Sequence, residues 1–201
     1  MTFTAQQSRS GPAGTTPAGP APADGSPAAG PLVRRELAAL RGVQSVLGGR
    51  PMVRAARAMS LFGEHSAGWF ALGLLGAAID SDRRRDWLVA SAGVVGAHAA
   101  SIAVKRVVRR PRPADSEVDV LVGTPSRLSF PSSHAASTTA AAVLYGGLTG
   151  RRSAGAVVPP MLVSRLVLGV HYPTDVLAGS ALGAAVGGAV LRWLRRSRRA
   201  R

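Results

Sequence analysis

Apolar residues gather in five blocks along the chain, with polar residues collected between them. The blocks are 59–79 ("MSLFGEHSAGWFALGLLGAAI"), 87–104 ("WLVASAGVVGAHAASIAV"), 133–148 ("SHAASTTAAAVLYGGL"), 155–170 ("GAVVPPMLVSRLVLGV") and 174–191 ("TDVLAGSALGAAVGGAVL"). A helix that crosses a bilayer needs about 20 mostly apolar residues, with a range of about 17–25. Several blocks are borderline singly, but five in a row with short basic connectors are hard to fit into a soluble core. The pattern predicts an all-α protein, a polytopic transmembrane helical bundle of about five spans.

Two further segments precede the blocks. Residues 1–31 are rich in Pro, Gly, Ala, Ser and Thr and nearly free of large apolar side chains, which predicts a disordered low-complexity tail. They lack the apolar run of a secretory signal peptide. Residues 32–58 carry Leu32, Val33, Leu37, Leu40, Val43, Val46 and Leu47 at spacings mostly of three and four, with Arg34, Arg35 and Arg41 at other positions. This is an amphipathic helical region. It either lies on a membrane surface or packs on the rest of the domain. The expected organisation is therefore a tail (1–31), an amphipathic region (32–58), a membrane-embedded domain (59–192) and a basic C-terminal tail (193–201).

The last block holds Gly179, Gly183 and Gly187, one every fourth residue. Small residues on one face let helices approach closely in lipid. Glycine inside a helix otherwise costs about 1 kcal/mol relative to alanine, so a packing face is expected here.

If the blocks alternate across the bilayer, the connectors 80–86 ("DSDRRRD") and 149–152 ("TGRR") share a side with the terminal "LRRSRRAR". The positive-inside rule makes that side cytoplasmic. Loops 105–132 and 171–173 then lie together on the extracytoplasmic face of a multi-pass cell-membrane protein. The outer loop is basic too, and five spans leave the basic N-terminal region outside, which works against this orientation.

Charge narrows the partners. Lys and Arg total 25 against 10 Asp and Glu, a formal net charge of +15. Such an excess suits nucleic acid, lipid head groups or phosphorylated substrates. The bunched apolar residues favour a bilayer, so a membrane is expected as partner and nucleic acid is not. The oligomeric state is left open. There is no cysteine, which excludes disulfides, thiolate metal sites and a cysteine nucleophile. No two of the four histidines have the close spacing of a helical zinc motif. No metal or cofactor is expected.

Candidate chemistry falls in three stretches on the outer side: "KRVVRRPRP" (105–113), "PSSH" (131–134) and "SRLVLGVHYPTD" (164–175). Lys105 and Arg112 are fixed cations, and arginine's planar fork suits phosphate oxygens. Arg106, Arg109 and Arg110 are accounted for by snorkelling and attraction to lipid. "PSSH" opens a helix, where unpaired backbone N–H groups and the helix dipole can seat an anion. Arg165 lies within an apolar run; it either faces a polar cavity or reaches the membrane surface from near a helix end. His171 and Asp175 are four apart, so the carboxylate can hold one imidazole nitrogen while the other serves as base or nucleophile.

Together the three stretches resemble the type 2 phosphatidic acid phosphatase family, which shares a superfamily with the vanadium haloperoxidases. Its first motif is Lys, six residues, then Arg-Pro, matched here by Lys105 and Arg112-Pro113. The second, Pro-Ser-Gly-His, is matched by Pro131-Ser132-Ser133-His134, with serine in place of glycine. The third is Ser-Arg, five residues, His, three residues, Asp, matched by Ser164-Arg165, His171 and Asp175. The resemblance covers residues from about 60 to 192. It implies an integral membrane phosphatase acting on a phosphorylated lipid without a metal. By that resemblance His171 attacks phosphorus to form a phosphohistidine, Asp175 orients it, and His134 protonates the leaving oxygen. Lys105, Arg112, Ser132, Ser133 and Arg165 hold the phosphoryl oxygens. Within the family, "VGTPSRLSFPSSHAAS" and "RLVLGVHYPTD" are most similar to small actinobacterial enzymes that dephosphorylate a decaprenylphosphoryl-phosphoribose 5-phosphate in cell-wall synthesis.

Undecaprenyl diphosphate and phosphatidic acid are alternative substrates. Vanadate-dependent halide oxidation on the same fold is a more distant reading, as is a basic membrane scaffold without catalysis. Outside the motifs, His98 is expected to be a satisfied packing histidine. Glu64 and His65 are candidates to line a head-group cavity, and Asp115, Glu117 and Asp119 to form a solvated loop or a gate.

Overall fold

The computed structural model describes residues 30–200. Most of the tail expected over 1–31 lies outside the described residues. Glycines and prolines set the first boundaries. α1 (Pro31–Leu47) stops at Gly48, and α2 (Arg50–Gly63) starts after Gly49. Each has proline in its first turn, where a missing N–H breaks no helical bond. The amphipathic region is thus two helices, and the second runs past the expected boundary.

The first apolar block is not one helix either. α2 ends at Gly63, and a 3-10 turn over Glu64–Ser66 holds His65 at φ 49° and Ser66 at φ 60°. These left-handed residues break the i to i−4 ladder before α3 (Ala67–Ile79) resumes. A 3-10 turn over Ser81–Arg83 leads into α4 (Arg84–Val108). α5 (Ser133–Thr149) fills the third block. The fourth block divides into a 3-10 stretch, Arg152–Val157, and a ten-residue α6 (Val158–Val167). α7 (Pro173–Arg199) continues through most of the expected C-terminal tail.

No strand forms among the described residues; one isolated bridge joins Pro111 to Leu128. Two segments, Ser81–Val108 and Pro173–Arg199, are long and apolar enough to cross a membrane by length and composition.

α5 and α7 meet backbone to backbone. A Cβ added at Gly179 would lie 2.4 Å from the Ser132 carbonyl oxygen. At Gly183 it would lie 2.2 Å from the Ala136 oxygen, and at Gly187 3.2 Å from the Ala140 oxygen. The glycine face predicted from the four-residue spacing is therefore a packing face. Its partners Ala135, Ala136 and Ala140 are fully buried. Large apolar side chains point the other way: Leu61, Leu75, Ile79, Leu88 and Leu177 are exposed. Small residues inside and large ones outside suit a lipid surround, where burying large side chains between helices brings no hydrophobic gain.

α1 packs on the domain rather than standing apart from it. Leu37 and Leu40 are buried with Val118 and Tyr172. Arg41 pairs with Asp115 and Glu117. The Gln44 amide both donates to the Asp119 carbonyl (2.7 Å) and accepts from its N–H (3.0 Å). The acidic loop is strapped to α1 by these contacts, while Glu117 and Asp119 stay exposed to solvent as expected.

Candidate active site

Three chain reversals bring the polar stretches together. α4 ends with Arg109 in a left-handed conformation, φ 54°. The following residues run beside 127–129, with Ser129 N–H donating to the Arg110 carbonyl at 2.8 Å. Lys105 and Arg112 therefore reach the site from a helix and from an extended strap. The Lys105 ammonium is buried and donates to the carbonyls of Ser129 (2.8 Å) and Pro131 (2.5 Å). It fixes the approach to α5 and keeps a third donor. Arg112 donates from Nε to the Ser126 carbonyl (2.8 Å) and from Nη1 to that of Val170 (2.6 Å). The same Nη1 lies 3.3 Å from His171 Nε2.

At the start of α5, Ser132 is the N-cap: its hydroxyl accepts from Ala135 N–H, and its own N–H donates to the Asp175 carbonyl. Ser133 takes helical backbone as the first residue of α5, so serine is accommodated where the family motif has glycine. Its hydroxyl lies 2.7 Å from that of Ser101. His134 Nε2 lies 2.9 Å from the Ser60 carbonyl. A bond to a carbonyl needs a proton on that nitrogen.

Arg165, near the end of α6, is 2% exposed. Nη1 donates to the Ser60 hydroxyl (2.6 Å), and Nε has no partner among the described residues. Gly169, φ 68°, turns the chain toward His171; a Cβ there would sit 2.2 Å from the Asp119 carbonyl oxygen. His171 is buried. Burial, followed by the charges of Arg112, Arg165 and Lys105, holds its imidazole well below the usual histidine range. The ring is neutral at pH 7, with a lone pair available. Arg112 is pushed down to about 10, chiefly by burial, and stays cationic. Asp175 is fully buried in the first turn of α7 and accepts from Tyr172 N–H (2.9 Å) and Arg110 Nη1 (2.9 Å). His171 Nδ1 lies 3.4 Å from Asp175 Oδ2 without hydrogen-bond alignment.

Lys105, Arg112, Ser133, His134, Arg165 and His171 line one cavity of about 350 Å³. The other two expected residues, Ser132 and Asp175, lie behind its wall. Among the described residues no cluster of three His, Cys, Asp or Glu could hold a metal ion. Three cationic side chains, Lys105, Arg112 and Arg165, face the cavity.

Some participants were not expected. Arg110, set aside as an interfacial cation, is largely buried. It bonds Asp175, Thr174 and Glu36, and its guanidinium carbon stacks 3.9 Å over the Tyr172 ring. Glu36 also accepts from the Thr174 N–H (3.1 Å) and hydroxyl (2.6 Å). The signal was a lone carboxylate in an arginine-rich amphipathic stretch. Ser60, which touches both His134 and Arg165, gave none. His98 is not a satisfied packing histidine: its Nδ1 has no partner, and it lines the cavity with Glu64 and His65.

Residues 86–199 match the model of the PAP2 superfamily. The chain belongs to this superfamily. Its PAP2 relatives include the decaprenylphosphoryl-5-phosphoribose phosphatase of Mycolicibacterium smegmatis, 58% identical over 147 residues, 73% of this chain and 82% of that protein. The Mycobacterium tuberculosis protein of the same name is 55% identical over 158 residues, 78% of this chain and 89% of its own length. Among solved structures, the transmembrane PAP2-type phosphatidylglycerolphosphate phosphatase of Bacillus subtilis shares the fold with a TM-score of 0.71 at 21% identity. That match covers 83% of this chain and 88% of that one. Aquifex aeolicus LpxE follows at 0.63 and 21% identity, covering 78% and 94%. With its outward-facing apolar surface, the PAP2 chain is a membrane protein.

Proposed function

We propose that the protein is a polyprenyl-lipid phosphatase that removes the 5-phosphate of a decaprenylphosphoryl-5-phosphoribose through a phosphohistidine on His171. One observation carries the mechanism: a buried His171 stands between Asp175 and Arg112 in a cavity also lined by Lys105 and Arg165. The substrate reading rests on relatives of that name at 55–58% identity.

His171 Nε2 attacks phosphorus, a P–N bond forms, and the bond from phosphorus to the ester oxygen breaks. His134 delivers a proton to that oxygen. With Nε2–H committed to the Ser60 carbonyl, the proton delivered is the one that the imidazolium carries on Nδ1, and Nδ1 takes a proton back from the attacking water in the next step. Water then attacks the phosphohistidine, releasing phosphate and restoring the imidazole. The three cations and the α5 N-terminus, with Ser133 in its first turn, stabilise charge on the equatorial oxygens. Ser132 acts through the cap it supplies to α5.

The proposed setting is a multi-pass cell-membrane protein with its site on the extracytoplasmic face. α5, α2–α3 and the stretch ending in α6 complete the crossing beside α4 and α7. The proposed organisation keeps residues 59–192 as the phosphatase domain. Nucleic acid has no part in it.

Purified protein in detergent should release phosphate from a prenylphosphoryl-5-phosphoribose faster than from phosphatidic acid or undecaprenyl diphosphate. A strong chelator should leave the rate unchanged. Preference for another lipid would reassign the substrate, and chelator-sensitive turnover would contradict a site charged by side chains alone.

Arg110 and Glu36 serve as positioning residues, acting through Asp175. Arg110→Ala should lower kcat roughly tenfold to a hundredfold with little change in KM, the scale of a misplaced reacting group. Arg110→Lys keeps the charge but not the fork and should recover part of the loss. A rise in KM alone would mean that Arg110 contacts the substrate instead.

A further inference from the structure

The cavity extends beyond the residues that face the reacting phosphate. On α4, His98 precedes Lys105 by seven residues, two turns or about 10 Å along one helix face. Ile102 lies between them, and all three line the cavity. His98 sits deeper in the apolar block than Lys105. Across from it is the 3-10 turn of Glu64–Ser66, with the His65 and His98 rings 6.2 Å apart. Two consecutive left-handed residues that are not glycine are strained, and such strain persists where the surrounding structure enforces it. Glu64 and His65 line the cavity from this turn, the Glu64 carboxylate 4.0 Å from His65 Nδ1. The buried Nδ1 of His98 has no hydrogen-bond partner. Arg106 lines the same cavity, and no ion pair engages it among the described residues. The mechanism above uses none of these groups.

We infer that His98 and His65, with Arg106 at the rim, form a second anion subsite for a phosphodiester, the phosphate that joins the sugar to the prenyl chain. This rests on the phosphatase reading above. The terminal phosphomonoester meets His171 while the sugar spans the interval, and Glu64 accepts from a sugar hydroxyl. The deeper placing of His98 matches an inner phosphate that sits closer to the hydrocarbon chain.

The test compares wild type, His98→Ala and His98→Gln on two substrates. One is a prenylphosphoryl-5-phosphoribose, with two phosphates separated by a sugar. The other is phosphatidic acid, whose single phosphate sits directly on the lipid. His98→Ala should raise KM for the first substrate about tenfold more than for the second, the scale of one hydrogen bond to a charged group. His98→Gln, which keeps a hydrogen-bonding side chain, should recover part of the difference. Equal changes on both substrates, or none, would overturn the subsite and leave the phosphatase standing. So would a wild type that turns over phosphatidic acid alone. A wild type that releases phosphate from neither would overturn the phosphatase reading, and the subsite with it.

Discussion

His171→Ala is expected to lower phosphate release by at least about 10⁴-fold, the scale seen when a covalent nucleophile is removed. No neighbour can replace it. Lys105 is committed to two backbone carbonyls, and His134 is held by Ser60. The loss should come without unfolding, because the imidazole contributes no aligned hydrogen bond from Nδ1 and its Nε2 faces Arg112. The decisive measurement is single-turnover chemistry with radiolabel on the phosphoryl group that is transferred to the enzyme. Wild type should show acid-labile, base-stable label on the protein, and the variant none. Label retained in the variant would move the nucleophile elsewhere.

The second large effect concerns the frame. Gly183→Val places a branched side chain where even a Cβ would lie 2.2 Å from the Ala136 carbonyl oxygen. Backbone cannot swing aside as a side chain can, so α5 and α7 must separate. Overpacking of this kind costs about 1–3 kcal/mol, occasionally more, and this contact belongs at the upper end. Activity should fall with stability, because α5 begins with Ser133 and His134 and α7 carries Asp175 in its first turn. Gly188→Ala is the control. An added Cβ there meets nothing closer than Arg192 Nη1 at 3.8 Å, so it should leave stability unchanged or raise it by up to about 1 kcal/mol. Thermal unfolding in detergent reads both. Equal midpoints for the two variants would refute the close α5–α7 contact.

The glycine face and the three motifs were legible in the sequence for the same reason. Each is a set of residue types at a fixed spacing, read for the glycines as one helix face and for the motifs through their resemblance to a known family. The break at Glu64–Ser66 was not, because its left-handed positions are His65 and Ser66 rather than the glycines that usually mark such turns. Nor could composition separate Arg110 from Arg106 and Arg109. All three share one basic run, and only the left-handed turn at Arg109 aims Arg110 inward at Asp175. Glu36 lies 139 positions before Asp175 by residue number, so its place beside Thr174 depends on how α1 docks. Helix lengths were overread where an apolar block hides a joint, as between α2 and α3 and before α6.

The docking of α1 and α2 bears on where the functional unit begins. The family match starts at residue 86, and every motif lies inside it. Yet Glu36 anchors Arg110 and Thr174, and Ser60 holds both Arg165 and His134. A fragment trimmed to the matched region would keep the whole signature by which relatives are recognised. It would also take Glu36 from Arg110 and Ser60 from Arg165 and His134, so the boundary of recognisable ancestry falls short of the boundary of the working site.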